Sequence, residues 1–245
     1  MERWTSVYTF AWNPIITFKS RAPRFLEWIE DNCHPVAFAT GDDFIGLAIE
    51  NPGIRIELRA GSLTILDGAA HGSPVEVAAN ALQGVFEVLE PTDMVLDTFV
   101  GAWSRPAPDL EYDTARAAFA GRVSGVEGHN QFRMVDVSAL ADVEGDTFTG
   151  QVEWGIVEPN ELRLILAQPQ RGRLSENRPA LVGNPRALLD VPRVSVFAET
   201  YVRYLASDTV TDFTQLAQAA SSADKIGEEI ADAVTLGFTT KETTK

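Results

Sequence analysis

Between Val36 and Leu66 the chain breaks into four short runs, Val36–Ala39, Phe44–Glu50, Ile54–Arg59 and Ser62–Leu66, separated by Gly41-Asp42-Asp43, Asn51-Pro52-Gly53 and Ala60-Gly61. Each run is too short for a helix and rich in β-branched or aromatic residues. The separators are turn formers, and their regular spacing predicts an antiparallel meander. A sheet built this way buries one face only if something covers it, so the constraint extends to the flanking segments.

Those segments supply the covers. Phe25, Leu26, Trp28 and Ile29 give one apolar face while Glu27, Glu30 and Asp31 face water, which predicts a short helix ending before Pro35. Ser73 with Pro74 behind it and Glu76 three residues on forms a capping box, and Val77, Ala78, Ala81, Leu82, Val85 and Leu89 continue as one stripe. Ahead of both lies an extended segment, Val7–Trp12 and then Ile15–Phe18, interrupted by Pro14.

The second half starts over. Met94–Trp103 reads as a strand stopped by the stiff connector Arg105-Pro106-Ala107-Pro108. A helix capped by Asp109 and closed by Gly121 follows, then strands at Gln131–Val137, Thr147–Val157 and Glu161–Ala167, the last two joined by a turn at Glu158-Pro159-Asn160. Val194–Leu205 is a further strand. A long final helix carries Phe213, Leu216, Ala220, Ala223, Gly227, Ile230 and Val234 at steps of three and four. The expected class is α+β, with antiparallel sheet packed by helices, a long C-terminal helix, and two halves whose common order of elements suggests related units. The divisions are residues 1–108, 109–238 and a tail at 239–245, the first two being also compatible with one compact domain.

Charge narrows the function classes. The formal net charge is −15, so phosphate backbones and anionic membrane surfaces are repelled on average. No run of about 18 apolar residues occurs, and Met1–Ser6 lacks the basic and apolar regions of a secretory leader. Cys33 is the single cysteine, which excludes an intramolecular disulfide and a multi-thiolate zinc site. Together these point to a cytoplasmic protein.

No phosphate loop, dinucleotide glycine fingerprint, nucleophile elbow or paired-histidine metal motif is present, so no cofactor and no metal are expected and the reading leans away from an enzyme. His34, His71 and His129 stand in loop-like contexts, and turn histidines are usually solvated. Cys33 and His34 are adjacent, and neighbouring side chains point apart, a poor geometry for proton abstraction. Asp42, Asp43 and Glu50, and Asp142, Glu144 and Asp146, read as acidic turns. Five tryptophans could line a ligand pocket, but four of them lie in or beside predicted strand or helix cores, and the core reading is favoured.

Residues 169–193 form the least regular stretch. Arg171, Arg173, Arg178, Arg186 and Arg193 there face only Glu176 and Asp190, a basic segment in an acidic chain. Long irregular segments are often functional, and arginine forks clamp anions bidentately. Arg171, Arg173, Arg178 and Arg186 are therefore the candidate binding residues, with a small anionic ligand as one occupant.

The early strand through Pro14, the strand from Met94, the segment Glu158-Pro159-Asn160-Glu161-Leu162-Arg163-Leu164 and the closing helix with Ile226, Glu229, Ile230 and Phe238 resemble a sporadically distributed set of uncharacterised prokaryotic and phage-borne proteins of similar length. The resemblance implies an α+β build and carries no activity. The leading expectation is a non-enzymatic interaction protein that binds another protein or itself, through the arginine loop or an exposed sheet edge. The alternative is a helix-grip small-molecule binder or hydrolase with a pocket between the sheet and the C-terminal helix.

Overall fold

The computed structural model describes residues 1–49, 53–68, 73–107, 111–124, 138–162 and 193–236. Nine strands, β1 (Glu2–Ala11), β2 (Ala37–Thr40), β3 (Phe44–Ala48), β4 (Ile54–Arg59), β5 (Ser62–Asp67), β6 (Val95–Pro106), β7 (Ser138–Glu144), β8 (Phe148–Val157) and β9 (Ser195–Tyr204), form one antiparallel sheet. Their order is β2-β3-β4-β5-β1-β6-β9-β8-β7. The named helices are α1 (Phe18–Asn32), α2 (Pro74–Val77), α3 (Ala79–Gly84), α4 (Tyr112–Ser124) and α5 (Phe213–Thr235). The class is α+β.

The order of elements repeats. Each half begins with a long strand, crosses to a helix and returns as a meander whose last strand pairs beside the first: β5 beside β1, and β9 beside β6. The two opening strands pair with each other at the centre of the sheet, Val7 opposite Val100.

One row of residues crosses the whole sheet on its helix-covered face: Phe38, Leu47, Ile56, Ile65, Tyr8, Phe99, Val202, Gly150 and Val143, one from each strand. Its middle six members are buried, and the core extends from them to Phe25 and Ile29 of α1, Leu82 of α3 and Leu216, Ala220, Ala223 and Ala231 of α5. Alternation along each strand explains this, since every second residue of β4 is buried.

A register shift between Arg3 and Thr5 inserts Trp4 as an extra residue in β1. Trp4 turns to the opposite face and packs with Ala102, Val157, Leu162 and Phe197. Arg3 thereby lies across from Trp103 on the face that α5 covers. Bulges re-aim side chains in this way.

Several expectations are corrected. Ile15–Phe18 is no strand: the Ile15 N–H donates to the Ala60 carbonyl at 2.8 Å and the chain turns into α1, longer than foreseen. The Ser73 hydroxyl accepts the Glu76 N–H, but the helix it starts breaks at Ala78 and widens to a π turn over Val85–Leu89 before Glu90 at φ 50°. Arg105 and Pro106 do not stop the ladder. They pair with Val196 and Ser195, because proline at a strand's last position removes no interior hydrogen bond. Gly121 lies inside α4 rather than capping it. Asp142 and Glu144 belong to β7, where an edge strand leaves alternate residues in solvent. Residues 159–162 are helical, with Pro159 at a favourable first position and the Leu162 N–H donating to Glu158 O. Gln131–Val137 lies outside the described residues.

Candidate functional site

The two edges of the sheet are chemically different. β7 carries Asp142 and Glu144, and charges on an edge discourage another chain from pairing there. β2 reads Ala37-Phe38-Ala39-Thr40, uncharged and exposed at every position. Val36 just before it is 59% exposed and Phe38 is 68% exposed. Phe38 ends the apolar row that crosses the sheet, with Leu47 buried beside it and nothing on its other side among the described residues.

The backbone of β2 is equally open. The Gly41 N–H donates to Phe44 O at 2.8 Å, closing a hairpin over Asp42 and Asp43. Antiparallel ladders alternate, so Ala37, Ala39 and Gly41 point their amides toward β3 while Phe38 and Thr40 point theirs outward. On the face opposite Phe38, Ala37, Ala39, Gly46 and Ala48 make a floor of small residues. Arg55 and Glu57 stand at its side, and the shallow depression there measures about 190 Å³.

A second feature is a polar seam between the sheet and α5. Arg3 Nη1 lies 2.6 Å from Asp224 Oδ1 and Arg3 Nη2 lies 3.6 Å from Asp67 Oδ2. The buried Tyr8 hydroxyl donates to Asp224, 2.8 Å from each carboxylate oxygen. The Thr5 hydroxyl donates to the Asp67 carbonyl. Burial raises the Asp224 pKa against the opposing pull of Arg3 and Tyr8. Burial and the nearby Asp224 charge hold the Tyr8 hydroxyl well above its ordinary value. Arg105 pairs with Asp232 about two turns further along α5. These contacts fasten the last helix to the first strand, and no sequence signal announces them because the partners are 216 positions apart.

Arg171, Arg173, Arg178 and Arg186 lie outside the described residues; Arg193 is exposed. His34 is exposed with φ 49°, and His71 and His129 lie outside the described residues. Cys33 is half-buried and burial raises its thiol pKa, which disfavours the thiolate. Asp42 pairs with Lys19 and Asp43 with Arg59. Trp4, Trp12 and Trp103 are buried, and the indole N–H groups of Trp4, Trp12 and Trp28 donate to Ser104, Ala60 and Asn80. Among the described residues no three His, Cys, Asp or Glu side chains converge as a metal site, and no helix is long and apolar enough to cross a membrane.

Compared with known protein families and with curated proteins, the sequence matches none.

Proposed function

We propose that this chain is a non-enzymatic, cytoplasmic protein-interaction module that accepts an extended strand from another polypeptide on edge β2. The observation that carries the reading is Phe38, 68% exposed on an uncharged edge strand whose outward amides await a ladder. Natural sheets usually blunt such edges with charge, proline or a bulge, as β7 does with Asp142 and Glu144. Strand addition draws affinity from main-chain hydrogen bonds and specificity from alternate side chains, which Phe38 and the small-residue floor can supply. A ligand pocket under α5 gains no support at Gly227, where an added methyl would lie 2.4 Å from Phe99 and 2.6 Å from Trp103.

The test is amide hydrogen exchange of the full chain with a synthetic peptide of residues 36–43. Peptide should slow exchange at Phe38 and Thr40, and Thr40→Pro, which removes an outward amide and spares the β3 ladder, should abolish the effect. Saturating peptide without protection would sink the reading.

A further inference from the structure

We draw no further inference here: the strongest candidate, the uncharged edge strand β2 with exposed Phe38 and the shallow depression of small residues beside it, belongs to the site already described, and nothing in the structure shows what covers it.

Discussion

The Arg3 guanidinium reaches Asp224 at 2.6 Å, joining the first strand to the middle of the last helix. Both side chains are largely withdrawn from water, so each depends on the other for compensation. Arg3→Met should cost about 3 kcal/mol, because it leaves Asp224 charged beneath α5. Burial already raises the Asp224 pKa. A folded-state carboxyl that holds its proton more tightly than the unfolded one favours the fold as pH falls through its folded value. The deficit of Arg3→Met should therefore be largest at neutral pH and shrink on acidification, and adding Asp224→Asn should recover part of it. Urea unfolding of the single and double variants across pH checks this.

Two helix glycines should respond oppositely to alanine. At Gly227 the new methyl meets Phe99 and Trp103, whose rings are themselves packed 6.0 Å apart. Overpacking there outweighs the gain in helix propensity, and Gly227→Ala should lower Tm by about 3 °C. Gly121 in α4 has nothing within 4 Å of the added carbon. Gly121→Ala should stabilise by about 0.5 kcal/mol. Thermal unfolding of both variants decides; a stabilised Gly227→Ala would mean that α5 does not approach Trp103 so closely.

Alkaline pH should unfold the protein through its tyrosines. Burial raises Tyr8, with the Asp224 charge adding to it, and pushes Tyr204 up to about 12. Burial and the Glu161 hydrogen bond raise Tyr112 as well. The folded chain keeps these protons where the unfolded chain releases them, so stability declines as pH rises beyond the ordinary tyrosine value near 10. Tyrosinate absorbance of Tyr8 and Tyr204 should appear together with loss of the circular dichroism signal. Titration of Tyr8 within an intact fold would contradict its burial.

Asp212 caps α5, its carboxylate accepting the Gln215 N–H at 2.9 Å. Asp212→Ala should cost about 1 kcal/mol and Asp212→Asn much less, since asparagine also caps well. The urea midpoints of the two variants report the difference directly.

Local chemistry made much of this fold legible before any coordinates. The turn residues at 41–43 and 60–61 end strands where steric rules require it, and the capping residue Ser73 and the three-and-four spacing of α5 are read over a few positions. The errors are local signals overruled by neighbours. Pro106 reads as a stop in the sequence and is the end of a paired strand, and the acidic residues of β7 read as a turn because nothing in that segment shows it will lie at an edge. Arg3, Tyr8, Asp67 and Asp224 carry no local signal, since their convergence is a property of strand order and of the bulge at Trp4.

By itself, then, the sequence determined the type of most elements, the apolar faces, the acidic charge and the absence of familiar catalytic motifs, because each depends on residues close in the chain. Tertiary structure alone decided that β1 and β6 sit at the centre, that Arg3 turns toward α5, and that uncharged β2 is left at an edge. Those outcomes depend on which distant strands pair. That choice is made by burying one continuous apolar row across the sheet, and the row runs out in solvent at Phe38.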